Sequence, residues 1–238
     1  MNEPRPGAAG KGTLYIVATP IGNLEDMTFR AVRVLKEVEA VACEDTRQTV
    51  KLLNRYEIKK RLISYFQPRE RQRIPEIMTL LRSGKDVALV SDAGTPGISD
   101  PGFLLVREAL KEGLNVVPIP GASALATALC ASGLPTHRAM FIGFPPPKRE
   151  ATRKLLLSLR EENATLIFYL PVRKAPEFLT LVLETLGDRR AVIAREMTKI
   201  HEEFIRGTSS ELAESAKTMP AKGELTVLVE GNVRRASK

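Results

Sequence analysis

A glycine- and proline-marked stretch, residues 91–102 (Ser-Asp-Ala-Gly-Thr-Pro-Gly-Ile-Ser-Asp-Pro-Gly), carries the residue types best suited to hold a ligand. It directly follows the apolar run Val87–Val90, which is typical of a buried strand. In open α/β sheets, ligands bind at the carboxyl ends of the strands, where glycines let backbone N–H groups approach them. The stretch therefore predicts a binding loop, although a tight crossover turn uses the same residue types.

Two further loops of this kind end predicted strands. Residues 19–23 (Thr-Pro-Ile-Gly-Asn) follow the first apolar run, and residues 120–124 (Pro-Gly-Ala-Ser-Ala) follow a later one. Three such loops together favour a binding cleft. The motifs disfavour three other kinds of site. No Gly-x-Gly-x-x-Gly follows a strand, which disfavours an ordinary dinucleotide-binding fold, and residues 121–125 lack the last glycine of the nucleophile elbow of serine hydrolases. Two cysteines and two histidines are too few for a Cys/His metal cluster.

The basic residues are concentrated in one segment. The formal net charge is +8, and residues 47–73 hold nine basic and two acidic residues, which supply nearly all of that excess. Tyr56, Tyr65 and Phe66 are interleaved with the cations, a combination typical of single-stranded RNA recognition, although a solvated charged face is the alternative. We expect RNA contacts from the nine cations: Arg47, Lys51, Arg55, Lys59, Lys60, Arg61, Arg69, Arg71 and Arg73.

Strand-like and helix-like segments alternate along the chain, which predicts an α/β fold with a parallel sheet in the first half. The pattern places strands at 14–19, 38–43, 62–65, 87–90 and 116–119, with helices starting near 29, 46, 74, 103 and 123. The second half repeats the alternation, with a helix over 149–160 and strands at 165–170, 191–195, 203–206 and 225–229. The last two strands are expected at a mixed or antiparallel edge.

The sequence predicts two domains. Residues 1–12 form a tail, 13–140 an amino-terminal domain with the basic segment and the glycine-rich loop, 141–149 a linker marked by three consecutive prolines, and 150–238 a carboxyl-terminal domain. The uncharged stretch 113–136 is interrupted by prolines and glycines, so we expect no membrane span. The cysteine usage and the absence of a signal-peptide pattern indicate a cytoplasmic protein.

Six ordered motifs resemble the tetrapyrrole methylase superfamily and, within it, the ribosomal RNA small subunit methyltransferase I family. They lie at residues 14–24, 44–47, 91–102, 120–123, 195–199 and 222–224. The resemblance implies two α/β domains with S-adenosylmethionine in a cleft between them, and a homodimer. It further implies 2′-O-ribose methylation of a decoding-site cytidine of 16S rRNA in the small ribosomal subunit.

Carried over by position, the resemblance also implies the cofactor contacts. They fall on the three loops and on three positions of the second domain: Pro20, Ile21, Asp92, Ala93, Gly94, Thr95, Ile98, Ser123, Ala124, Leu170, Ala194 and Glu224. No metal is expected.

A ribose hydroxyl needs a proton acceptor before it can be methylated. Glu44, Asp45 and Asp100 are candidates because each follows a predicted strand end. Arg47 and Lys199 are candidates for orienting phosphate or lowering the hydroxyl pKa. For each of these residues a helix cap or a surface ion pair is an alternative, and Asp45 would be a good N-cap.

Two other functions stay open. A tetrapyrrole-type small-molecule methylase would not need the basic segment, and its relatives begin with Gly-x-Gly-Pro-Gly-Asp, which residues 19–23 do not match. A non-catalytic RNA-binding module would not need three glycine- and proline-marked loops.

Overall fold

The computed structural model describes residues 10–220 and 222–232. These residues form two compact units that divide after Ser123. In the described ranges, no helix is long and apolar enough to cross a membrane. Residues 1–9 of the predicted tail lie outside the described part, but Gly12 N–H donates to the Leu81 carbonyl (2.8 Å) and Lys11 Nζ to the Glu112 carbonyl (2.9 Å).

The first unit is built on a five-stranded sheet in which every neighbouring pair is parallel. The strand order is β3-β2-β4-β1-β5. The strands are β1 Thr13–Val17, β2 Ala40–Cys43, β3 Arg61–Ser64, β4 Val87–Val90 and β5 Asn115–Ile119. The helices are α1 Phe29–Glu37, α2 Thr46–Arg55, α3 Glu70–Arg82 and α4 Phe103–Lys111. The predicted parallel sheet is confirmed.

Helices on both faces bury this sheet, which explains why its strands are nearly continuous apolar runs. One cluster packs around Leu14 and Leu89, and a second, on the other face, packs around Val17 and Val90. The predicted apolar spacing of α1 fails at its first residue, because the Phe29 ring is 98% exposed. Thr28 caps this helix by accepting from the Ala31 N–H (3.0 Å).

The second unit contains a mixed sheet of order β6-β7-β10-β8-β9. Strands β6 and β7 are parallel, and the other neighbours are antiparallel. The strands are β6 Ala139–Gly143, β7 Thr165–Pro171, β8 Arg190–Arg195, β9 Glu203–Thr208 and β10 Glu224–Val229. The helices are α5 Ala124–Ser132, α6 Arg149–Ser158, α7 Ala175–Leu186 and α8 Ser209–Ala216.

The units divide at a different place from the predicted linker at 141–149. Strand β6 was not predicted, and it pairs with β7 in the second sheet, so the prolines that follow it belong to a loop inside the second unit. Strand β9 is at the edge, as expected, but β10 lies in the interior between β7 and β8. The prediction also omitted α8, which begins with a capping box between Thr208 and Glu211.

Candidate active site

Backbone hydrogen bonds join the loops that follow β1 and β4. Thr19 and Gly94 exchange N–H···O bonds of 2.8 and 3.0 Å. The buried Thr19 hydroxyl also donates to the carbonyl of Ser91 (3.0 Å). Since β1 and β4 are adjacent and parallel, their following loops meet at one edge of the sheet, and these bonds fix them together there.

The loop after β5 packs against the same edge. A Cβ atom at Gly121 would lie 3.0 Å from the Ala18 Cβ, so only glycine fits without displacing its neighbour. Gly94 has φ +78, a conformation that side chains rarely adopt, and a Cβ there would lie 3.5 Å from Ile21 Cγ2. The three predicted binding loops therefore lie together. Glycine is required at 121 by the close approach to Ala18 and favoured at 94 by its positive φ.

The structure thus brings most of the predicted cofactor positions of the first unit to one edge. Asp92 and Ala93 are exposed there, whereas Gly94 and Pro20 are buried. The set at this edge comprises Pro20, Ile21, Asp92, Ala93, Gly94, Thr95, Ile98 and Ser123. Ala124, also predicted to bind cofactor, is the first residue of α5 and belongs to the second unit. Thr19 was missed as a site residue, although its position at the end of a strand was a usable signal.

Four carboxyl groups occupy the same edge. The Asp45 backbone N–H donates to Asp92 Oδ1 (3.0 Å), which connects the loop after β2 to the loop after β4. Burial raises the pKa of the half-buried Glu44 above its ordinary value, and the charges of Asp100, Asp92 and Asp45 raise it further. Burial also raises the pKa of Asp92. Glu44 is thus held among like charges, as expected of a group that takes up a proton.

Asp45 has a different environment from Glu44. It is the N-cap of α2, its carboxylate accepts the Arg47 N–H (2.8 Å), and the Arg47 guanidinium donates to it (2.7 Å). The side-chain bond from Arg47 is the main reason that the pKa of Asp45 falls to about 2. Asp45 is therefore a structural anion and a weak base, which matches the N-cap alternative.

In the second unit, the predicted cofactor residues lie at one end of the sheet. Leu170 pairs with Leu225, Ala194 with Thr226, and Glu224 with Pro171. Leu170 and Ala194 are buried, whereas Glu224 is exposed.

Lys199 lies in the loop between β8 and β9. Its ammonium pairs with Glu196 Oε1 (3.2 Å), the surface-ion-pair alternative that the sequence left open. In the same loop Thr198 has φ +67, unusual for a β-branched residue, and its buried Oγ1 has no hydrogen-bond partner among the described residues. The motif at residues 195–199 identified this loop, but it did not predict the positive φ or the unpartnered hydroxyl of Thr198.

The cations of the basic segment 47–73 do not lie together: some are at the carboxyl ends of the strands of the first sheet and others are towards the amino ends. Arg47, Arg69 and Arg71 lie next to the carboxyl ends of β2 and β3, where α2 and α3 begin. Residues 56–60 precede β3 and, with Arg61 at its start, lie towards the opposite edge, where Lys60 Nζ donates to the Val38 carbonyl (2.6 Å). The remaining predicted cations are distributed along α2 and α3: Lys51, Arg55 and Arg73.

Not all of the aromatic residues in this segment can stack on bases. Tyr65 is fully buried and its hydroxyl donates to Glu70 (3.2 Å), so its predicted contact with RNA is wrong. The Tyr56 hydroxyl donates to the Leu24 carbonyl. Phe66 is partly exposed, with the Arg69 guanidinium 5.9 Å from its ring centroid.

Among the residues that the structure describes, no three His, Cys, Asp or Glu side chains are grouped so as to hold a metal ion. The site at the edge of the first sheet thus offers glycine-lined loops, an exposed carboxylate at Asp92 and a proton acceptor at Glu44.

Comparisons with known proteins define the class. The family model of the tetrapyrrole (corrin/porphyrin) methylases matches residues 13–213. A solved cobalt-precorrin-4 methyltransferase of cobalamin biosynthesis aligns with a TM-score of 0.68 at 17% identity, covering 92% of this chain and 94% of that one. The uroporphyrin III C-methyl transferase from Thermus thermophilus aligns with a TM-score of 0.64 at 20% identity, covering 91% and 97%. The chain has the tetrapyrrole methylase fold.

Sequence relatives identify the family within the tetrapyrrole methylases to which the chain belongs. A ribosomal RNA small subunit methyltransferase I from Halalkalibacterium halodurans is 51% identical over 93% of this chain and 77% of the relative. Another from Thermotoga maritima is 48% identical over 92% of this chain and 99% of the relative. The chain belongs to the ribosomal RNA small subunit methyltransferase I family, which confirms the resemblance found in its motifs.

Proposed function

We propose that this protein transfers a methyl group from S-adenosylmethionine to the ribose 2′-hydroxyl of a decoding-site cytidine in 16S rRNA of the small ribosomal subunit. The observation that carries the proposal is the edge of the first sheet, where three glycine-marked loops lie together beside Glu44, two of them joined by hydrogen bonds and the third packed against them. The names of the relatives support small-subunit rRNA as the substrate.

The loops fit the cofactor. Gly94 and Gly121 let the three loops pack against one another, which brings their backbone groups together at one edge where a ligand can bind. The exposed Asp92 carboxylate can accept hydrogen bonds from the hydroxyl or ammonium groups of S-adenosylmethionine. In the second unit we assign cofactor contacts to Ala124, Leu170, Ala194 and Glu224. When bound, the cofactor supplies an electrophilic sulfonium methyl group.

Glu44 is the proton acceptor in this proposal. Its raised pKa makes it a stronger base than an ordinary glutamate, while Asp45 is neutralised by Arg47. On this assignment the Glu44 carboxylate would take the proton of the ribose hydroxyl, and bound S-adenosylmethionine would supply the methyl group to that oxygen. Asp100 raises the basicity of Glu44 through its charge, and Lys199 is assigned to orient the RNA backbone.

RNA contacts are assigned first to the cations nearest that edge, Arg47, Arg69 and Arg71, with Phe66 as a stacking surface. A homodimer and a cytoplasmic location complete the proposal, on the strength of the family resemblance alone. A tetrapyrrole substrate has less support, because the two solved tetrapyrrole methylases compared above share only 17% and 20% identity with the chain. Identity at this level establishes a common fold and no common substrate.

The test uses small-subunit particles from cells that lack the endogenous enzyme, incubated with the protein and methyl-labelled S-adenosylmethionine. We expect one labelled nucleotide, a 2′-O-methylcytidine in the decoding region, identified by nuclease digestion and mass spectrometry. A methyl group on a base atom would overturn the ribose assignment. Cofactor binding without any labelled RNA would redirect the search to a small-molecule substrate.

A further inference from the structure

A groove in the second unit lies beside the loop of three prolines, residues 145–147. Its volume is about 220 Å³, and it is lined by Leu170, to which a cofactor contact is assigned above, together with Phe144, Arg149, Thr152, Arg173, Lys174 and Phe178. We propose that this groove binds one nucleotide of the RNA substrate, with the base against Phe144 and the phosphate near the cations. The inference rests on the proposed function and extends it to a surface outside the basic segment.

The walls of the groove are fixed. Thr152 is buried, and its hydroxyl donates to the Pro146 carbonyl (2.8 Å), which holds the proline loop against α6. Phe178, packed edge-to-face on Phe168 at 4.9 Å between ring centroids, lines the groove from α7. A groove shaped by prolines and a buried hydrogen bond loses little conformational entropy when a ligand binds.

Phe144 is the exposed aromatic surface of the groove. Its ring is 46% exposed, and it contacts Tyr169 edge-to-face at 5.7 Å between centroids. That contact orients the ring and leaves part of it open to solvent. Base stacking on such rings tolerates any base and is a common mode of single-strand recognition.

The charge around the groove favours an anion. Three cations, Arg149, Arg173 and Lys174, line it together with one acid, Glu177. Lys174 lies 3.7 Å from Glu177, and Arg149 pairs with Glu184 outside the groove at 3.2 Å. Arg173 is exposed and makes no ion pair with any described residue.

Two helices begin at the groove with an unusual charge pattern. The N-cap positions of α6 and α7 are Lys148 and Lys174, and neither helix has a side-chain hydrogen bond at its cap. Helices normally begin with Ser, Thr, Asp or Asn, whose side chains accept the free N–H groups of the first turn, and a cation at this positive end of the helix dipole is destabilising. A bound phosphate would offset this repulsion at the start of α6. Helix α7 continues from the 3-10 turn Val172–Lys174, in which the Ala175 N–H donates to the Val172 carbonyl, so its start contributes cations and not free N–H groups.

The size of the groove separates one nucleotide from larger ligands. Sites for drug-sized molecules usually enclose about 300–1,000 Å³. A groove of about 220 Å³ is small for a tetrapyrrole macrocycle and is of the size expected for a single base or nucleoside. The combination of one open ring, an excess of cations and the uncapped start of α6 therefore points to a nucleotide.

The test measures binding of fluorescently labelled hexacytidylate RNA to the full chain by anisotropy at low salt, with binding of S-adenosylmethionine measured separately by calorimetry. We expect F144A to weaken RNA binding about tenfold and F144Y to retain it, because stacking on one base contributes about 5- to 150-fold. R173A and K174A should each weaken binding several-fold and reduce its salt dependence.

Matched controls come from the same chain. Phe29 is another exposed phenylalanine, and Lys217 forms an i,i+3 pair with Glu214 as Lys174 does with Glu177, so F29A and K217A should bind RNA like the wild type.

Wild-type RNA affinity in F144A, R173A and K174A would overturn the inference and leave the proposed function standing. Failure of the wild-type chain to bind hexacytidylate would overturn the inference, whereas the proposed function is tested separately by methyl transfer to small-subunit particles. Loss of cofactor binding with unchanged RNA binding would assign the groove to the cofactor and overturn the inference.

Discussion

The two sheets of this protein arrange functional residues in different ways. In the first unit all five strands are parallel, so each loop that follows a strand emerges at the same edge, and residues far apart in sequence meet there. In the second unit β6, β7 and β8 run in one direction and β9 and β10 in the other, so the loops after β6, β7 and β8 emerge at one end of the sheet and the loop after β9 at the opposite end. A fully parallel sheet brings every loop that follows a strand to one end, whereas this mixed sheet divides those loops between its two ends.

The largest expected effect comes from removing the proton acceptor of the first sheet. E44Q should lower the single-turnover rate of methyl transfer by about 10²–10⁴-fold, the usual contribution of a general base, while S-adenosylmethionine still binds. D45N is the matched control, because asparagine also caps helices well and Asp45 is assigned no proton transfer. Equal losses in the two variants would contradict the distinction between these adjacent carboxyl groups.

The next effect tests the bonds that hold the loops of the first sheet together. T19V removes the hydroxyl that donates to Ser91 and leaves a buried carbonyl without that donor, which should cost about 1–3 kcal/mol of unfolding free energy. The affinity for S-adenosylmethionine should fall with it, as measured by calorimetry, whereas T19S should restore much of both. If T19V is destabilised but binds S-adenosylmethionine with wild-type affinity, the Thr19–Ser91 hydrogen bond stabilises the fold without contributing to cofactor binding.

The raised pKa of Glu44 gives a signed prediction for stability. In the folded state Glu44 holds its proton more tightly than in the unfolded chain, so its stabilising contribution is present below the ordinary pKa and is lost as pH rises through the folded value. E44Q should therefore melt at a higher temperature than the wild type at about pH 8, and the difference should shrink towards about pH 4. A lower melting temperature for E44Q at both pH values would show that ionised Glu44 stabilises the fold.

The smallest effect compares the two ends of the basic segment. R71A, near the carboxyl edge, should weaken RNA binding a few-fold and reduce the slope of log K against log salt by about 0.7–1. K59A, towards the opposite edge, should leave both unchanged. Salt titrations of RNA binding provide the measurement, and an equal loss in K59A would mean that RNA covers both edges.

The sequence was informative where a local pattern determines the structure. The apolar runs and the glycine-rich loops of the first unit predicted the parallel sheet and the edge at which those loops meet. The prediction failed at β6, because three prolines follow this strand and suggested a linker, and at the placement of β10, because strand order depends on distant pairings.

Side-chain environment was the least predictable part of the site. Glu44 and Asp45 are neighbours with similar chemistry in the sequence, and only the structure shows that Arg47 neutralises one while burial raises the pKa of the other. Burial of Tyr65 likewise depends on packing around β3 that its aromatic character does not reveal. The groove beside residues 145–147 escaped prediction because it requires the starts of α6 and α7 to lie together.

The central claim is that the edge of the first sheet holds the cofactor, and calorimetric titration with S-adenosylmethionine of the wild type, G94A and G113A tests it most directly. Both glycines have positive φ (+78 and +67), so alanine introduces similar backbone strain at each, but only Gly94 lies at the edge. We predict one cofactor per chain for the wild type and G113A, with affinity at least tenfold weaker for G94A. Equal affinity in all three proteins, or no binding by the wild type, would contradict the claim.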